Sequence, residues 1–182
     1  MGVGAIAEVD MPWRGSWQAS AVPRRVLALE GVQDPGNVGT LLRTAVAFGW
    51  DSVFLLPGCC DPFNDKALRS GRGAAFQVPL VAGTWDELGA FAKDNQLRCL
   101  AAVARTQDDG NGGDSNCGAA LNGWWGAKYK EGICLVLGSE GQGLSAESRQ
   151  YCEAVNIPIG DRMESLNVAV AGGILMFLLR LQ

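Results

Sequence analysis

Histidine is absent from the 182 residues. That removes Ser-His-Asp and Cys-His catalysis, HExxH zinc sites and any imidazole general base. A CxxC pair is missing too: Cys59, Cys60, Cys99, Cys117, Cys134 and Cys152 fall outside the spacings that clamp zinc or shuttle electrons, which argues against a metal site. Positive charge is not in excess, with 15 Lys and Arg against 19 Asp and Glu and a formal charge of −4. Any nucleic acid must therefore be held by a local patch. No run is long and apolar enough for a membrane span, since the longest such stretch, Val168 to Leu179, is short and contains Gly172 and Gly173. No charged-then-apolar leader opens the chain, so the reading is a protein without a membrane partner.

What is present is the composition of one globular α/β domain, 48% hydrophobic and 19% charged. Cys99 and Cys134 lie inside apolar runs and read as small core residues. Free cysteines suit a reducing compartment, cytoplasmic or organellar.

Along the chain, residues 1–23 form a lead-in with little periodicity, with a short strand expected in Gly4–Val9. A strand is expected at Arg25–Leu29, then a turn at Gln33–Asn37 and a helix from about Asn37 to Phe48 closed by Gly49. Further strands are expected at Val53–Leu56, Phe76–Val81, Leu97–Ala104, Ile133–Leu137 and Ala154–Ile157. Helices are expected from Asn64 or Asp65 to Ser70, from the capping box Thr84-Trp-Asp-Glu87 to Asn95, from Ser145 to Tyr151, and from Asn167 to Arg180. Residues 105–118 read as a loop or local insertion. This alternation predicts a mostly parallel sheet with helices on both faces and ligands at the carboxyl ends of its strands.

Three polar motifs fall at such ends: Asn37-x-Gly39-x-x-x-Arg43-Thr-Ala, Leu137-Gly-Ser-Glu140-Gly-x-Gly143-Leu, and Ile157-Pro158 followed by Ser165-Leu-Asn167. In this order and spacing they resemble the signature motifs of the SpoU/TrmH family of S-adenosylmethionine-dependent RNA ribose 2′-O-methyltransferases, in the SPOUT superfamily. The resemblance covers roughly residues 24–182. It implies an α/β fold with a C-terminal trefoil knot that binds the methyl donor, and a homodimer that acts on tRNA or rRNA without a metal. Sequence periodicity alone would not suggest a knot.

The resemblance assigns catalysis to Asn37, Arg43, Glu140, Ser165 and Asn167. It assigns the donor pocket to Leu137, Gly138, Ser139, Glu140, Gly141, Ile157, Pro158, Ser165, Leu166 and Asn167. Family relatives use a matching arginine to take the proton from the ribose hydroxyl. A guanidinium stays protonated in proteins, however, so the chemistry of Arg43 itself favours anchoring a phosphate. Asn37, Ser165 and Asn167 also suit helix capping. Glu140, among glycines that admit close backbone approach, suits holding Arg43 or Asn37 in place. Arg24, Arg25, Lys66, Arg69 and Arg72 gather near the first motif, and a patch around Arg69 and Arg72, with Arg43, is the expected contact for RNA.

Many relatives carry an additional N-terminal RNA-binding domain, and residues 1–12 resemble the segment that joins it to the catalytic core. The expectation is a fragment, or a core that finds RNA alone or with a partner. Two other readings compete. Gly2-Val-Gly-Ala-Ile-Ala7 mimics a nicotinamide-binding GxGxxA but lacks a preceding strand. The fold could also serve as an idle RNA-binding or assembly module.

Overall fold

The computed structural model describes residues 23–103, 131–139 and 145–180. The expected strand at Gly4–Val9, the loop 105–118, Cys117 and motif residues Glu140, Gly141 and Gly143 lie outside them. Among the described residues six strands, β1 (Arg25–Glu30), β2 (Ser52–Leu55), β3 (Leu80–Ala82), β4 (Leu97–Ala102), β5 (Gly132–Gly138) and β6 (Glu153–Val155), form one sheet in the order β3-β2-β1-β5-β4-β6. Every pairing is parallel.

The central strands are buried on both faces, as their unbroken apolar runs require. Leu27, Leu29, Ile133, Leu135 and Leu137 face one core with α1 (Pro35–Ala47) and α5 (Val168–Leu179). Val26, Ala28, Cys134 and Val136 face the other, under α3 (Trp85–Asp94). Alternate side chains of each strand point to opposite faces, so one apolar run fills two cores.

Local chemistry fixes the helix ends and corrects three expectations. Helix α1 starts at Pro35, earlier than Asn37, because Asp34 is its cap and accepts the Asn37 amide at 2.8 Å. Proline in the first turn sacrifices no hydrogen bond there. Phe76 does not begin a strand: Ala74–Phe76 form a 3₁₀ turn, and β3 starts only at Leu80, after Pro79. The alanines of that turn pack into the α1 core, and an apolar run of this length does not distinguish a turn from a strand. Strand β6 likewise begins and ends earlier than Ala154–Ile157. The caps at Asn64, Thr84 and Ser145 are as expected.

Gly39 has a packing role within the first motif. A Cβ there would overlap Ser70 Oγ and the Ala67 carbonyl and come within 2.8 Å of the Gly71 amide. Its absence lets α1 lie against α2 (Asp65–Gly71). Gly39→Ala should destabilise the fold by about 1–3 kcal/mol through overpacking, read as a lower urea midpoint at unchanged slope.

Candidate active site

The carboxyl ends of β4, β5 and β6 open into one cleft. Its wall comes from Ala102 and Val103, Leu137, Gly138 and Ser139, Val155, Ile157 and Ile159, Ser165 and Leu166, and Val168, Ala171 and Leu175 of α5. The Val103 amide donates to the Val155 carbonyl at 2.9 Å, which carries the β4–β6 ladder to the rim. Apolar side chains thus form the sides, while strand-end peptide groups and two serine hydroxyls supply the polar contacts, a combination that suits a flat heteroaromatic ligand. Helix α5 reaches the sheet at Gly172, where a Cβ would lie 2.5 Å from side-chain carbons of both Leu137 and Leu41.

Six residues expected to hold the donor line this cleft: Leu137, Gly138, Ser139, Ile157, Ser165 and Leu166. Pro158 lies between two lining residues but is exposed and outside the wall. Asn167 joins the third motif to the first. Its Oδ1 caps α5 by accepting the amides of Ala169 at 2.9 Å and Val170 at 3.3 Å, while its Nδ2 donates to Asn37 Oδ1 at 3.1 Å. The capping role considered for Asn37 belongs to Asp34.

Arg43 is exposed on α1 and does not line the cleft. Arg69 is exposed and pairs with Asp65 one turn earlier at 3.1 Å, which moderates its charge. Arg72 ends α2 in a left-handed conformation, φ 51°. Arg25, grouped with these basic residues in the sequence, is 1% exposed, with its guanidinium turned on backbone carbonyls.

Sequence reasoning missed several contributors, among them Ala102, Val103 and Glu30. Ala102 and Val103 end a strand beside β5, and that position was the available signal. Glu30 ends β1 opposite Gly138, and its carboxylate accepts the Trp85 indole N–H at 2.8 Å and the Ser145 amide at 3.4 Å. It therefore ties the chain where it re-enters α4 (Ala146–Tyr151) to the strand end beside the cleft.

A doubly wound parallel sheet with a cleft across adjacent strand ends defines an α/β protein that binds its ligand at the carboxyl edge. The chain belongs to the SpoU rRNA methylase family, whose pattern matches residues 24–177. It is 37% identical over 166 residues to the 23S rRNA (guanosine(2553)-2′-O)-methyltransferase RlmP of Bacillus subtilis, a match covering 88% of this chain and 59% of that protein. The AdoMet-bound rRNA methyltransferase from Sinorhizobium meliloti superposes with a TM-score of 0.72 at 25% identity, covering 86% of this chain and 55% of that one. The SpoU methyltransferase AviRb from Streptomyces viridochromogenes, in complex with AdoMet, shares the fold at a TM-score of 0.77 and 21% identity, over 93% of this chain and 65% of that one. The chain thus spans about three fifths of the length of the curated relative.

Proposed function

We propose that this chain transfers a methyl group from S-adenosylmethionine to a ribose 2′-hydroxyl of RNA, with ribosomal RNA the first substrate to test and tRNA the second. The observation that carries this reading is the cleft itself, where parts of the second and third motifs meet, with Asn167 extending the contact to Asn37 of the first. The RNA substrate of the Bacillus relative supports the order of testing.

The donor, when bound, supplies a methyl group already activated by its sulfonium. Peptide groups at Leu137–Ser139 and Leu166 would hold the adenine, and Ile157, Val155 and Leu175 would exclude water from it. The Asn37–Asn167 pair would fix the ribose side of the cleft and Arg43 would grip an RNA phosphate with its planar fork, while the motif resemblance gives Glu140 a role in catalysis. Catalysis then comes largely from aligning the hydroxyl oxygen with the methyl carbon and sulfur. Arg69 and Arg72 extend the phosphate contact, and residues 24–182 act as the catalytic domain behind the lead-in 1–23.

The active form in this proposal is a homodimer with its C-terminal segment threaded as a trefoil knot. Val170, Ile174 and Phe177 form an exposed apolar stripe on α5, although Val168, Ala169, Leu175, Met176 and Leu179 of the same helix are buried. Phe48 meets Phe177 edge-on at 5.5 Å, which extends the stripe towards α1. A second copy on this surface brings an arginine that lies outside the cleft of its own protomer into the completed site.

Calorimetric titration with S-adenosylmethionine, S-adenosylhomocysteine and NAD tests the donor site. Saturation by the first two alone, followed by labelled methyl in alkali-resistant linkages of ribosomal RNA, is the expected result. Failure of both in a folded protein would leave the RNA-binding or assembly role. Asn167→Asp separates site from scaffold: it keeps the capping oxygen but loses the amide donor to Asn37. Its stability should stay within about 0.5 kcal/mol of the parent, while methyl transfer falls by about tenfold, the equivalent of one lost hydrogen bond of about 1.4 kcal/mol.

A further inference from the structure

Two adjacent strands and the residue that leads into a third bring three cysteines to one level of the sheet. Cys99 of β4 is paired in register with Cys134 of β5. On its other side β4 pairs Leu100 with Glu153 of β6, so Cys152, one residue earlier, stands beside Cys99. All three belong to the α3 side of the sheet, away from the cleft: Cys134 is buried in that core, and Cys99 and Cys152 pack against it while partly exposed. Cys99 is thus the middle member of the row, with a cysteine on each side. Among the described residues no group of three His, Cys, Asp or Glu side chains is arranged to hold a metal ion.

The row has the spacing and the chemistry of a dithiol. In-register residues of neighbouring strands have Cα atoms about 4.8 Å apart, inside the roughly 4.4–6.8 Å span of disulfides. A neighbouring thiol on each side favours the Cys99 anion, so Cys99 is held below the ordinary thiol range against the opposing effect of burial. Cys134 and Cys152 are pushed up by the neighbouring Cys99 and by burial. Cys59 and Cys60 provide a contrast within the same chain. Burial raises both, and each S–H is turned on a backbone carbonyl, of Leu29 and Asp61 respectively.

We propose that Cys99 and Cys152 form a peroxide-reactive pair that closes to a disulfide between β4 and β6. The Cys99 thiolate attacks one oxygen of hydrogen peroxide, the O–O bond breaks, and the departing hydroxide takes up a proton to become water, leaving a sulfenic acid. The Cys152 sulfur then attacks the Cys99 sulfur, the S–O bond breaks, and the Cys152 proton leaves with the hydroxyl as a second water. Peroxide is reduced and two thiols are oxidised. Cys152 is the partner because it is partly exposed and lies at the junction of α4 and the short edge strand. Cys134 lies in a strand laddered on both sides. Beyond Cys152 the chain runs through Val155 and Ile157 into the cleft wall, so the link would pin the edge that carries that wall.

The full reduced chain is treated with hydrogen peroxide, its remaining thiols are alkylated, and it is digested with trypsin. Cleavage after Arg98, Lys130 and Arg149 separates the three cysteines onto different peptides. The expected product joins the Cys99 and Cys152 peptides with loss of two hydrogens, and dithiothreitol reverses it. Cys152→Ser should stop the link and leave a Cys99 sulfenic acid that dimedone captures, while Cys134→Ser should leave the link in place. A Cys99–Cys134 link, oxidation first at Cys59 or Cys60, or an unreactive Cys99 in the folded protein would each overturn the proposal.

Discussion

Arg43→Ala is expected to lose about 100-fold or more of the methyl-transfer rate, the scale of effect that follows when a reacting group is no longer aligned, with S-adenosylmethionine affinity unchanged. The two halves of this result have separate structural origins. In the proposed mechanism the donor lies against strand ends and α5, and Arg43 is exposed on α1 outside that wall, so calorimetry of the variant should match the parent. On the same proposal the rate depends on placing the RNA, and a planar guanidinium can grip two phosphate oxygens where an ammonium offers only a point charge. Arg43→Lys should therefore recover only part of the activity, mainly at high RNA concentration. Single-turnover labelling with saturating donor measures both variants. An undiminished rate in Arg43→Ala would remove the residue from the mechanism.

Arg25→Leu is expected to give the largest loss of stability, about 3–5 kcal/mol, the range for removing one side of a buried charged interaction. The Arg25 Nε donates to the Leu179 carbonyl at 2.5 Å, and Nη1 donates to the carbonyls of Arg24 at 2.8 Å and Glu131 at 3.0 Å. One side chain thus joins the entrance of β1, the chain just before β5 and the last turn of α5. Burial lowers its pKa first and the charge of Arg24 lowers it further, while Asp51 acts in the opposite direction. Leucine fills much of the space but leaves buried carbonyls without these donors. Differential scanning calorimetry should show a fall of roughly 10 °C or more for a domain of this size. Arg25→Lys should fall by less, because one ammonium retains the charge without the three-way geometry.

These two arginines also show how far the sequence could be read. The apolar runs of β1 and β5 specified a sheet covered on both faces, and the helix periodicity placed what covers it, because burial itself produces those patterns. Arg24 and Arg25 look alike in sequence, yet Arg25 turns inward to meet α5, a partner 154 residues away that no local pattern reveals. The start of α1 was misjudged by giving weight to Asn37, when Asp34-Pro35 already had the chemistry of a cap and first turn. At the cleft, the motif order singled out Leu137, Ser165 and their neighbours. Ala102, Val103 and Glu30 escaped notice because their importance comes from which strands become neighbours, and that is settled by the crossover between β1 and β5.

That crossover also governs how the protein is made. β1 pairs with β2 on one side and β5 on the other, from Arg25 opposite Ile133 to Glu30 opposite Gly138. At a ribosomal rate of roughly 5–20 residues/s, about 5–20 s separate synthesis of the two partners. Through that interval the nascent chain holds an apolar strand with one open edge, a template for pairing with other chains. Completion of the sheet is therefore a late event in synthesis, and crowded translation or slowed elongation between β1 and β5 would lower the yield of folded protein without altering the finished molecule.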